Sequence, residues 1–265
     1  MSLRLGMPTL IEIEDISQTI KICQKLNLSF IELNMNLPFN LLENLDAKLV
    51  KILQKDSGIG FTLHLPDELD LAHFDSSIRE GNVNCCRKAI EWAYDARVDL
   101  INLHINKGTY FTLPDKKVFI YERYEEQFLE NIFESFKKIS LLAGKNDIKI
   151  CVENSENFFI PYINKTLSKI SQLSQISFTY DVGHDAKCEY KERDAIMRYE
   201  NKIKHMHLHD FDGNTDHKKL FSGSIDIKDR LSFAKQKDMS VVIEVKTLEA
   251  LIDSVNRIQP LLKEI

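Results

Sequence analysis

The chain has 265 residues, 43% hydrophobic and 28% charged, which is enough for one well-buried core. A formal net charge of −5 supplies no global basic field for a nucleic-acid backbone. No segment approaches the roughly 20 apolar residues of a membrane span. Low-complexity tracts and Pro/Gly-rich linkers are absent, so a single domain over residues 1–265 is expected. The opening MSLRLGMPTL has no long apolar run of the kind that marks an export segment. Cys23, Cys85, Cys86, Cys151 and Cys188 form no C-x-x-C pair and read as free thiols of a reducing cytoplasm.

In chain order, strand-like runs lie near Leu3–Met7, Ser29–Asn34, Ile59–Leu65, Leu100–Ile105, Ile148–Glu153, Ile176–Asp181, Ile203–His209 and Ser240–Val245. Helical patterns fill the intervals. Phe128, Ile132, Phe136 and Ile139 recur at helical spacing, as do Leu251, Val255, Ile258 and Leu262. Successive strands begin at least about 25 residues apart, room for the crossover helix that parallel strands need. Eight such units predict an α/β (β/α)8 TIM barrel, with a doubly wound open sheet as the competitor.

Face polarity separates the two. Side chains alternate along a strand. Phe61, Leu63 and Leu65 oppose Thr62 and His64, and Ile101, Leu103 and Ile105 oppose Asn102 and His104. Ile148, Ile150 and Val152 oppose Lys149, Cys151 and Glu153; Ile176, Phe178 and Tyr180 oppose Ser177, Thr179 and Asp181. An open sheet covered by helices on both sides should have two apolar faces. Here one face is apolar and the other turns polar toward the strand's C-terminal end, as a barrel lined by its own active site requires. In KIKHMHLHDFDG, Met206 and Leu208 face the helices while His205, His207 and His209 climb the interior wall.

The rim therefore collects His64, His104, Glu153, Asp181, His184, His207, His209 and Glu244. Imidazoles and carboxylates together suit Zn, Mn, Fe or Co. Crowding them without a cation is costly, because unpaired buried charge is expensive. His205, one layer deeper, reads as structural, Cys151 as core, and His73 as a loop residue without a role.

The motifs ICVEN (150–154), YDVGH (180–184), HLHD (207–210) and VIEVK (242–246) together resemble the xylose-isomerase-like barrel superfamily. That group contains the sugar phosphate isomerases and epimerases and the endonuclease IV family. The resemblance covers the chain and implies one divalent ion (Zn, Mn, Co or Mg) on Glu153, Asp181, His207 and Glu244. It also implies acid/base roles for Glu153 and Glu244 and contact of His184 with substrate oxygens. The endonuclease branch holds three zinc ions, and the additional metal ligands it implies fall on His64, His104, His184 and His217. Its D-x-H pair is out of step here: Thr215 takes the aspartate position and Asp216 is one residue late. Its G-x-G is broken by Phe221, and the arginine of the isomerase branch is absent from this loop, leaving Lys218 or Lys219 to substitute.

The expected function is thus a metal-dependent isomerase or epimerase of a sugar, sugar phosphate or polyol, moving a proton beside a carbonyl through an enediolate. A zinc-dependent abasic-site endonuclease is the alternative, and a non-catalytic metal-binding barrel a third reading. The expected partner is a small sugar-like molecule in the cytoplasm, with nucleic acid disfavoured by charge; the sequence leaves a homo-oligomer open. His184, His209, Lys246 and Lys218 are the substrate-binding candidates. The loops at 106–120, carrying Tyr110 and Phe111, and at 211–225 are long enough to cover the mouth. A helix beginning near Ile225 could present the backbone of Ser222, Gly223 and Ser224 to a phosphate, aided by Lys218, Lys219 and Lys246. Ser224 could instead serve as its N-cap.

Overall fold

The computed structural model describes residues 3–263, so residues 1–2 and 264–265 of the expected domain lie outside the described part. Eight parallel strands close into a barrel: β1 (Arg4–Pro8), β2 (Phe30–Asn34), β3 (Gly60–His64), β4 (Leu100–His104), β5 (Lys149–Glu153), β6 (Ile176–Asp181), β7 (Ile203–Leu208) and β8 (Ser240–Ile243). Each strand pairs with its sequence neighbours, and β8 returns to β1 through Arg4↔Ser240, Leu5↔Val241 and Gly6↔Val242. All eight expected strands are present, most of them a residue or two shorter than their apolar runs.

The outward faces are mostly Ile, Leu, Val and Phe, joined by Tyr180 and Met206, and pack against the surrounding helices in one continuous core. In the helix Glu125–Lys145, Phe128, Ile132, Phe136 and Ile139 are all buried. The helix Leu248–Ile258 buries Leu251, Val255 and Ile258 but stops before Leu262. Pro260 follows, and a proline ring cannot continue the helical ladder. Aspartates start several helices: the side chains of Asp15, Asp46, Asp75 and Asp226 accept first-turn N–H bonds. All five cysteines are unpaired. Among the described residues no helix is long and apolar enough to cross a membrane.

Two local features fix what the barrel presents inside. A Cβ at Gly6 would lie 2.5 Å from the Phe30 ring, so a glycine on β1 lets Phe30 fill the barrel floor. Phe30 packs beneath His205, with ring centroids 6.0 Å apart. Between β6 and β7 the register shifts after Phe178, so that Thr179 faces His205 and Asp181 faces His207. This irregularity brings two histidines level with the inward residues of β6.

The segment 106–120, expected as a bare loop, forms a two-stranded hairpin, Tyr110–Thr112 with Lys117–Phe119, whose Tyr110 and Phe111 are exposed.

Candidate metal centre

At the C-terminal end of the barrel the inward carboxylates and imidazoles meet. Glu153, Asp181, His207 and Glu244 each bring one ligand atom within 4.8 Å of the others, and all four are buried. Nδ1 of His207 lies 3.1 Å from Glu153 Oε1, 3.0 Å from Glu244 Oε2 and 3.9 Å from Asp181 Oδ2. Around this quartet sit His64 and His104, whose Nε2 atoms are 3.4 and 3.3 Å from Glu153 Oε2. His184 Nδ1 is 3.3 Å from Asp181 Oδ2, and His217 Nε2 is 3.4 Å from Glu244 Oε1. Lys246 Nζ donates to Glu244 Oε1 at 2.9 Å.

The neighbours explain why these side chains point as they do. Asn102 on β4 donates to Glu153 and accepts from Thr179 Oγ1 at 2.6 Å. Asn154 clamps the end of β5 to β6: its Oδ1 accepts the Asp181 N–H at 2.8 Å and its Nδ2 donates to the Asp181 carbonyl at 2.9 Å. Asp181 caps the short turn that follows by accepting the His184 N–H at 2.7 Å, which fixes the D-x-x-H spacing physically. The buried carboxylate of Glu192 accepts the N–H groups of Glu156, Asn157 and Phe158 and so holds the loop after β5.

His209 has a different position from the one expected. It is fully buried; its Nδ1 accepts the His217 N–H at 2.8 Å, and its Nε2 lies 3.1 Å from both oxygens of Asp181. With one nitrogen accepting, the other carries the proton and donates to Asp181. The ring orients Asp181 rather than reaching toward a substrate.

Asp216, out of step in sequence, still reaches the site. Its Oδ1 is 3.1 Å from His217 Nδ1 and its Oδ2 is 3.9 Å from His184 Nε2. His217 has a φ of +54°, a left-handed conformation uncommon outside glycine, and this bend allows adjacent residues to face the same centre.

The phosphate cradle expected at 222–224 is otherwise engaged. The N–H groups of Gly223 and Ile225 donate to Asp210 at 2.9 and 3.2 Å, and that of Ser224 donates to the Phe211 carbonyl at 3.0 Å. The helix begins at Ile227 with Asp226, not Ser224, as its N-cap. Lys218 pairs with Asp212 and Lys219 with Asp253. Asp210, which also accepts the Phe211 N–H, is the staple of this loop. Asp210→Ala should cost about 3 kcal/mol or more, since hydrogen bonds to a charged group contribute roughly 1.5–3 kcal/mol each. Urea denaturation and tryptic cleavage after Lys218 and Lys219 measure this; unchanged midpoint and cleavage rate would refute the staple.

Sequence reasoning misses Glu32. It lies on β2 with Oε1 2.8 Å from His207 Nε2 and Oε2 3.0 Å from His205 Nε2, and it accepts from Thr62 Oγ1. The signal is present: FIELN alternates Ile31 and Leu33 with Phe30, Glu32 and Asn34, the same parity that marks the other interior residues.

The electrostatics of the cluster fit a cation. Burial would raise the Glu153 carboxyl, but His207 and His104 hold it well below the usual carboxylate range. Burial opposes ionisation of Glu244 too, and Lys246 and His207 overcome it. Burial would lower His64, yet Glu153 lifts it to about 9; Asp181 and Glu153 do the same for His184, also to about 9. Imidazole protons thus balance the carboxylates, a task that a bound divalent ion performs while displacing those protons. His64 is already set for ligation, because its Nδ1 faces the Leu65 carbonyl at 2.7 Å and leaves Nε2 toward Glu153. His104 Nε2 and Glu244 Oε2 are buried without a hydrogen-bond partner. Orphaned atoms beside clustered carboxylates are what a cation would satisfy. The residues therefore fit a metal.

A closed parallel barrel with carboxylates and imidazoles gathered at the C-terminal ends of its strands defines the class. Residues 20–261 match the family model described as xylose isomerase-like TIM barrel, and the chain belongs to that family. The uncharacterized protein MJ1614 of Methanocaldococcus jannaschii is 23% identical over 93% of this chain and 92% of its own. A D-tagatose 3-epimerase-like protein has a similar structure, with a TM-score of 0.80, 21% identity and coverage of 99% and 98% of the two chains. The TTHB071 protein of Thermus thermophilus, soaked with zinc chloride, matches with a TM-score of 0.73, 20% identity and coverage of 100% and 99%. D-psicose 3-epimerase of Clostridium cellulolyticum, with D-tagatose, matches with a TM-score of 0.70, 18% identity and coverage of 99% and 95%. At these identities the structural likeness establishes the fold.

Proposed function

We propose that this protein is a divalent-metal-dependent isomerase or epimerase of a sugar or related polyol. The observation that carries this reading is the convergence of Glu153 and Glu244 on His207 Nδ1, with Asp181 beside them. A divalent ion held by Glu153, Asp181, His207 and Glu244 would polarise the carbonyl and hydroxyl oxygens of the substrate. The two glutamates come from β5 and the end of β8, with β6 and β7 between them, so they flank whatever enters the mouth from two sides. One would take a proton from the carbon beside the carbonyl and the other would return one, to the same or the neighbouring atom. Their surroundings suit an exchange of protons. Glu153 has His64 and His104 at hand, and Glu244 has His217 and Lys246. His184 at the rim is 14% exposed and would meet substrate oxygens. The epimerases among the similar structures support a sugar as substrate, and the zinc-soaked one supports the ion.

Because the Lys218–Lys219 segment and the backbone at 223–224 are already engaged, neutral sugars are favoured over phosphorylated ones. The test is incubation of the manganese- or zinc-loaded protein with ketohexoses in D2O. Deuterium should enter at the carbon next to the carbonyl, and Glu153→Gln and Glu244→Gln should each abolish its entry. No exchange into any ketose or aldose tried would count against proton-transfer chemistry.

A second reading has its own observation. His64, Asp67 and His104 form one further ligand group, and His184 and His217 approach Asp181 and Glu244 from the other side. Such flanking sets favour more than one ion and, with it, zinc-dependent phosphodiester hydrolysis at abasic DNA. Cations that could grip a backbone are few here, and Lys187 is tied to Glu156 and Asp216. Three ions per chain together with incision of an abasic duplex would replace the first reading.

A further inference from the structure

We infer that Glu32, backed by His205 and Ser240, is a positioning residue that sets which nitrogen of His207 faces the ion; this rests on the metal reading above. The four groups form one buried line through the barrel. Ser240 Oγ is 2.6 Å from His205 Nδ1, His205 Nε2 is 3.0 Å from Glu32 Oε2, and Glu32 Oε1 is 2.8 Å from His207 Nε2. All four residues are at most 2% exposed. On the far side of the His207 ring, Nδ1 faces Glu153 and Glu244.

Burying a carboxylate is expensive, and a polar group that only needed to satisfy His205 and Thr62 could be neutral. What an ionised carboxylate adds is two acceptor oxygens, one for each imidazole, and negative charge behind a ligand. No other acceptor approaches His207 Nε2 among the described residues, although the Glu32 oxygen lies off the line of an ideal hydrogen bond. With its proton kept at Nε2 by Glu32, His207 has its lone pair on Nδ1, the atom turned toward the other three ligands. Without Glu32, the proton is free to move to Nδ1, where it occupies the place of the cation. Glu32 lies on the opposite side of the His207 ring from Glu153 and Glu244.

The experiment measures the zinc dissociation constant of the whole protein by chelator competition, for wild type, Glu32→Met, Glu32→Gln and Ser240→Ala. Glu32→Met keeps the length and removes both acceptors, and should weaken zinc about 10- to 100-fold, the usual effect of an outer partner of a metal-bound histidine. Glu32→Gln keeps one acceptor and should lie between it and wild type, while Ser240→Ala should lose only a few-fold. In the zinc-loaded samples, long-range 1H–15N spectra of His207 should show zinc on Nδ1 in wild type and a mixture of nitrogens in Glu32→Met. A purely structural Glu32 would change thermal unfolding without changing the coordinating nitrogen. If Glu32→Met does not fold, Glu32→Gln and Ser240→Ala decide the matter. Zinc constants equal to wild type in the folded variants would overturn the inference while leaving the metal reading intact. A wild-type protein that takes up no zinc would overturn both.

Discussion

Glu153→Gln is expected to lower turnover about 10²–10⁴-fold, the range that a positioned proton-transfer group supplies. Glu153 is proposed both as a metal ligand and as a proton-transfer group, so the substitution strikes both roles at once. One of its oxygens faces His64 and His104, the other faces His207, and Asn102 holds the carboxylate in place. Metal content should fall with activity. Ion binding at a thousandfold excess over its dissociation constant adds about 4 kcal/mol to stability. Each tenfold loss of affinity removes about 1.4 kcal/mol of that. Melting curves with and without zinc should therefore converge in the variant while staying apart in wild type. Retained turnover with full metal content would remove Glu153 from the chemistry.

Gly183→Ala should be nearly as damaging, although Gly183 carries no functional group. A Cβ there would stand 1.9 Å from Cε1 and 2.1 Å from Nδ1 of His209. That ring cannot move aside cheaply, because it is held at one nitrogen by the His217 N–H and at the other by Asp181. Overpacking of this kind costs about 1–3 kcal/mol. The larger effect is on function: displacing His209 releases Asp181 from its orientation and His217 from its approach to Glu244. The expected result is a folded protein with a lowered unfolding midpoint and with metal affinity reduced at least about 10-fold, as for other outer-shell changes. Zinc titration and urea denaturation measure the two effects separately. Wild-type metal affinity in a folded Gly183→Ala would show that His209 does not govern Asp181.

Much of this centre is legible from alternation alone. Thr62 and His64, Asn102 and His104, Cys151 and Glu153, and Thr179 and Asp181 share their strands with outward apolar residues, so parity alone sorts inside from outside. The same rule applied to FIELN includes Glu32. The role of His209 is not legible, because it depends on a backbone N–H from the loop residue His217. The left-handed turn at His217 is likewise a tertiary result; nothing in NTDHKK reserves it. The anion cradle expected at 222–224 fails because Ser-Gly-Ser before a helix looks open in sequence. Only the fold reveals that the Asp210 carboxylate, thirteen residues before Gly223, occupies that corner. The hairpin at 110–119 escapes because each of its strands is three residues long, too short for a period to register.

Phe30 plugs the barrel beneath the carboxylate and imidazole cluster. Beneath the centre, Phe30 and the fully buried His205 close the way out, and Gly6 gives the aromatic ring its room. Under the proposed function, ion and sugar would share the entrance at the C-terminal ends of the strands. The four proposed ligands are all buried, whereas His184 and His217 near the opening keep some exposure. Under the proposed function, a sugar bound at the opening would cover the ion and so delay its release until the product leaves.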